Sequence, residues 1–159
     1  MQMSTKLALL LILAAPIHAL AAEPIGYVKT ATGATTVVRG GAEQPIAVGD
    51  PVFENDTIKT RAESSLGVTL KDGTTLAAGP DTVLSLDDYA YAPHDQQLGL
   101  IARVSQGTLD FVSGLIGKMA PETVSVVTPT GVIGLRGTHF VVKVAPGQKF
   151  AEVTEKSES

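Results

Sequence analysis

The side chains that could do chemistry in this chain are few and far apart. Histidine occurs three times, as His18 in an apolar leader, His94 in a polar stretch and His139 at the head of an aliphatic run. A metal site needs His94 and His139 to converge with a carboxylate. The plainer reading is a surface His94 and a strand-end His139 satisfied by backbone or water. Asp50, Glu54 and Asp56 crowd one turn, as hard-cation ligands do, but their spacing fits no calcium loop with its distal bidentate acid. Asp50 and Asp56 read instead as turn residues bonding their own backbone. The run Gly131-Val132-Ile133-Gly134-Leu135-Arg136-Gly137 has the glycine density of a phosphate cradle. Such a cradle opens a helix in a βαβ unit, whereas this run lies between two expected strands, so its glycines read as bends and Arg136 as a polar contact at a corner. Gly-x-Ser-x-Gly, His-Glu-x-x-His and Gly-x-x-x-x-Gly-Lys-Ser/Thr are all missing, and the residues predict no catalytic set, no metal and no cofactor.

Tyr89 and Tyr91 are the strongest candidates for a contact site. Two residues apart on an extended arm, both rings stand on one face. Paired exposed tyrosines anchor a peptide, a protein partner or a sugar; the plainer reading is one face of a strand packed on the core.

The totals narrow the class. A chain of 159 residues is enough for one domain with a single core. Lys+Arg 12 against Asp+Glu 16 gives a net charge of −4, which excludes a basic surface for nucleic acid. The absence of cysteine excludes disulfides, thiolate metal sites, thiol nucleophiles and a lipoprotein anchor. Residues 1–22 read as a secretory signal: Lys6, an apolar run over residues 7–15, the breaker Pro16, then Ala19-Leu20-Ala21 with small residues at the −3 and −1 positions of cleavage after Ala21 or Ala22. The run is shorter than the roughly twenty residues of a membrane span, and later apolar stretches are strand-sized, so the mature chain is expected to be exported, without a transmembrane segment.

The elements that must position these residues are short strands. Residues 49–76 pack three of them with their turns: Gly49-Asp50-Pro51 opens a turn, Thr57-Ile58-Lys59-Thr60 alternates as a half-buried strand, Leu66, Val68 and Leu70 face one way, and Asp72-Gly73 signals a type I′ reversal. Residues 25–39 read as a hairpin bent at Ala31-Thr32-Gly33, residues 87–97 as a long exposed hairpin tip and Gln106-Gly107 as a turn. Residues 113–122 are limited to a loop by Gly114, Gly117 and Pro121, and residues 129–137 form a connection. A last strand over residues 138–144 is followed by a short one near Phe150 and a frayed tail. Gly73-Thr74, Gly107-Thr108 and Gly137-Thr138 recur at 34 and 30 residues, as stacked units do. The expected fold is all-β, a single domain of short strands stacked as a β-solenoid-like or a twisted β-sandwich.

The pattern Gly49-Asp50-x-Val52-x-x-Asn55-Asp56-x-Ile58-x-Thr60, a serine-rich step, an aliphatic strand and Asp72-Gly73-Thr74 resembles the FecR domain family. Gln106-Gly107-Thr108-Leu109, Val127-Thr128-Pro129-Thr130-Gly131-Val132 and Arg136-Gly137-Thr138-His139-Phe140-Val141-Val142 agree with it in order, over about residues 26–144. The resemblance implies a FecR-like domain at 23–148 after the leader, with a tail at 149–159. Its structural motif is Gly49, Asp50, Asp56, Thr60, Asp72, Gly73, Gly107, Thr128, Pro129, Gly137 and Thr138. Regulators of that family carry a cytoplasmic sigma-factor-binding end, a membrane span and a periplasmic signal-receiving part. This sequence departs from that plan. It implies a non-enzymatic, stand-alone periplasmic module that relays or scaffolds a signal by binding another envelope protein through exposed sheet edges, as in strand addition, and turn-rich corners, with Tyr89, Tyr91 and Arg136 as the candidate contact residues. The alternative is a periplasmic glycan or small-ligand binding protein.

Overall fold

The computed structural model describes residues 21–135, 138–147 and 151–156. The readings placed on the leader up to residue 20, on Arg136 and on Gly137 lie outside them.

The all-β expectation holds. In chain order the described strands are β1 (Gly26–Thr32), β2 (Thr35–Arg39), β3 (Ala42–Pro45), β4 (Pro51–Val52), β5 (Thr57–Thr60), β6 (Ser65–Leu70), β7 (Thr75–Ala78), β8 (Val83–Ala92), β9 (Gln97–Val112), β10 (Val124–Thr128), β11 (Gly131–Gly134), β12 (His139–Val144) and β13 (Ala151–Glu155). A short helix, α1 (Leu115–Met119), separates β9 from β10. Period-two alternation sends every second side chain inward; Leu66, Val68 and Leu70 are accordingly buried.

β9 is the spine. Its first part pairs antiparallel with β8 and parallel with β10, its second part antiparallel with β7 and β12. Around it the strands run β4-β1-β6-β7-β9-β12-β13 in one half and β3-β2-β5-β8-β9-β10-β11 in the other. The sheet curls into a half-barrel whose two inner faces supply one core cluster. Phe111 and Phe140 stack within it at 4.9 Å between ring centroids.

The chain passes between the halves at a corner tied by threonine hydroxyls. Thr60 Oγ1 donates to Gly79 O at 2.6 Å and accepts from Thr82 N–H at 2.9 Å. Thr82 Oγ1 in turn accepts from Thr108 N–H at 2.9 Å. Beside it Gly107 adopts φ +91°, and a Cβ there would run into Thr82, so β9 bends at the residue that only glycine fills without strain. β-Branched hydroxyls suit this place: they pack like valine and satisfy backbone groups that leave the ladder where the chain turns.

Six local expectations are corrected. Residues 25–39 are not a hairpin, because β1 pairs with β4 and β6, and β2 with β3 and β5. The bend at Gly33 is a crossover, held by Ala34 N–H donating to Ser64 Oγ at 2.9 Å. Gln106-Gly107 is not a turn but the bend inside a 16-residue strand. At Asp72-Gly73 only the glycine has positive φ, +85°, so the reversal is a turn over Lys71 and Asp72 closed by a left-handed glycine instead of type I′. The exposed tip shrinks to residues 93–96, since β8 and β9 pair as far as Ala92 and Gln97. Residues 113–122 hold α1, and β11 pairs with β10 within the expected connection.

Candidate functional site

At the far end of the strands from the threonine corner, a cleft of about 480 Å³ opens between the turn 53–55, β8 and the segment 22–25. Tyr89 and Tyr91 both line it, with Phe53, Asn55, Glu54 and Lys71. Two residues apart on β8, the tyrosines share a face as their spacing requires, and both pack against the core cluster while half-exposed. Lys71 Nζ pairs with Glu23 at 3.1 Å across the mouth. Aromatic faces beside amide, carboxylate and ammonium groups suit a ligand with apolar faces and polar edges.

Behind the cleft stands Asp72, 2% exposed. Its Oδ1 accepts from the Tyr89 hydroxyl at 3.2 Å and from Thr74 N–H at 3.3 Å. Its Oδ2 accepts from Thr74 Oγ1 at 2.7 Å and from Ile116 N–H at 3.2 Å. The Asp72 N–H donates to Tyr89 Oη at 3.0 Å, and its carbonyl accepts from Leu115 N–H at 2.8 Å. Thr74 Oγ1 accepts from Gly114 N–H at 3.0 Å. One turn between β6 and β7 thus satisfies three successive backbone donors at the start of α1, which explains why helix forms where the glycines predicted a loop. Burial, then the nearby Asp72 carboxylate, pushes the Tyr89 hydroxyl above the usual phenol range, keeping it a proton donor.

Asp56 is the other buried acid, fully enclosed. Arg39 grips it with Nε and Nη2, each at 2.7 Å, and Phe53 N–H donates to it at 2.9 Å. The guanidinium lies 4.3 Å over the Phe53 ring and also donates to Pro51 O at 3.1 Å. This clasp joins the β2–β3 hairpin of one half to β4 of the other. Asp50 Oδ2 accepts from Ala47 N–H at 2.8 Å in the turn that Gly49 enters with φ +91°.

The remaining readings fall elsewhere. His139 pairs with a side chain, Asp110, Nε2 to Oδ1 at 2.7 Å, across β12 and β9; His94 is exposed at the hairpin tip. Among the described residues no three His, Asp or Glu side chains converge as metal ligands do. Thr128 is buried and its Oγ1 donates to Gly131 O at 3.1 Å, closing the β10–β11 turn through Pro129. The Thr138 carbonyl accepts from Ser113 N–H at 2.8 Å. Sequence reasoning missed Phe53, Asn55 and Lys71 as cleft walls and missed the bond between Tyr89 and Asp72. Only Phe53 carried a signal, as the aromatic residue inside the turn-rich stretch.

No helix among the described residues is long and apolar enough to cross a membrane. No curated protein and no solved structure matches the chain. Residues 56–156 match the family described as FecR protein, a match that begins later and ends further on than the stretch over which the resemblance was read. Since it takes in well over half of the 159 residues, the chain belongs to the FecR protein family.

Proposed function

We propose that this chain is a non-enzymatic periplasmic module that relays or scaffolds a signal by binding another envelope protein. Family membership supports the broad class, signal transduction and regulation. The observation that carries the narrower reading is the open side of the half-barrel. There β11 and β13 end the two halves as edge strands, and Val132 and Val153 are 67% and 46% exposed. Unpaired edge backbone beside apolar side chains is the surface that strand addition uses. A photo-crosslinking residue at Val132, with one at Thr36 on the far side as control, tests it in intact cells. A discrete adduct from Val132 alone is expected; the same pattern from both positions, or none from either, counts against it.

A second reading is favoured by the cleft: a glycan or small ligand held on the faces of Tyr89 and Tyr91. Melting measured against cell-wall fragments separates the two, because a ligand that binds only the folded chain raises Tm by mass action. Loss of that shift in Tyr91→Ala is the expected companion result.

A further inference from the structure

We propose that Asp72 is a positioning residue that couples the cleft to the exposed apolar turn at Leu115 and Met119, so that whatever engages the Tyr89 hydroxyl is felt at that second surface. The idea rests on the reading of the cleft as a ligand site, and the geometry behind it is independent of any partner at the strand edges. Tyr89 forms part of the cleft wall, and its hydroxyl reaches to the carboxylate of the buried Asp72, which does not line the cleft. The ion pairs among the described residues are Arg39–Asp56, Lys59–Glu43, Lys71–Glu23, Arg103–Asp87 and His139–Asp110. None includes Asp72, so hydrogen-bond donors alone satisfy it.

Of those side-chain donors, Thr74 belongs to the same turn, and only the Tyr89 hydroxyl comes from the cleft. On the other side the carboxylate and carbonyl of Asp72 hold the amides of Ile116 and Leu115. Ile116 is fully buried, while Leu115 and Met119 are 46% and 55% exposed. The Tyr89 hydroxyl also accepts from the Asp72 N–H, so its withdrawal leaves a buried backbone donor unpaired and loosens the turn whose carboxylate and carbonyl hold α1. Withdrawing the Tyr89 hydroxyl toward a ligand therefore changes how firmly α1 is anchored, and with it the presentation of Leu115 and Met119. Gly114 fixes the spacing: a Cβ there would strike Asp72 O, Thr74 N and the Gly73 carbonyl carbon, so the two turns are in direct backbone contact and no adjustable side chain buffers them.

The test is residue-resolved amide exchange on the full mature chain. Tyr89→Phe removes only the hydroxyl, and exchange at Leu115 and Ile116 is expected to rise about three- to tenfold, the range one net hydrogen bond supports. Amides of Val104 and Leu109 in β9 should keep their wild-type rates, and Tyr91→Phe, in the same cleft wall, should leave Leu115 and Ile116 unchanged. Unaltered exchange at Ile116 in Tyr89→Phe overturns the coupling, as does an equal rise in Tyr91→Phe or throughout the sheet. If Tyr89→Phe does not fold, Asp72→Asn serves instead: the Tyr89 ring resonances and Ile116 exchange must shift together, and movement at one end alone overturns the proposal. A failed crosslink at Val132 sinks the partner reading and leaves these outcomes intact.

Discussion

The two sides of the half-barrel are finished in opposite ways. On one, the edge strands β3 and β4 are short and each contains a proline, Pro45 and Pro51, which removes a backbone donor and discourages pairing. The Arg39–Asp56 clasp then ties the halves together, with Ile46 buried beneath. On the other side β11 has no charged residue and no proline, and Val153, opposite the buried Val142, stands from an inner-face position into the open, while the fully buried Ile116 of α1 packs into the core cluster. The prolines blunt both edges of one side, whereas on the other β13 carries Glu152 and Glu155 and β11 alone is bare of charge and proline.

Three stability measurements sharpen that contrast, and a fourth bounds it. Ile116→Ala leaves a cavity in the core beneath α1 and should cost about 3–4 kcal/mol, the usual range for a buried aliphatic truncation, read as a fall in urea midpoint at constant m. Asp56→Asn should cost about 2–3 kcal/mol, since it leaves Arg39 unmatched and weakens the acceptor for Phe53 N–H. If it costs nothing, the clasp does not close its side and the contrast fails. Val132→Lys, on the bare edge, should change stability by less than about 0.5 kcal/mol yet abolish crosslinking of a partner to that edge from a probe moved to the exposed Thr130. The smallest effect concerns Glu43 on β3, whose carboxyl is held below its usual range by the Thr36 hydroxyl and then Lys59. A depressed folded pKa means the contribution is present above the ordinary value of 4.5 and is lost as pH falls through the folded value. The Tm difference between wild type and Glu43→Gln should therefore be small at pH 7 and vanish near pH 3.

Much of the strand content was legible, because alternation such as Leu66, Val68, Leu70 records burial directly. Pairing was not. Gly107 looks like a turn in sequence, and nothing local reveals that Thr82 packs against it so that one strand serves both halves. β11 was hidden by its terminal glycines, which depress strand propensity while the partner strand supplies the pairing. At the candidate site, the shared face of Tyr89 and Tyr91 followed from their spacing. The role of Asp72 did not, because its partner Ile116 lies 44 residues away, and Gly114, held by Thr74 of the same turn, 40 residues from that threonine. The helix α1 is a product of that long-range capping, so local propensity pointed the wrong way.

The double membership of β9 limits how this domain can respond to anything. A strand bonded to β7, β8, β10 and β12 at once leaves no seam along which the halves could hinge, so melting should be all-or-none. A message taken up at one place cannot spread as a gross opening of the barrel; it has to move as a local repacking of turns over an unyielding frame.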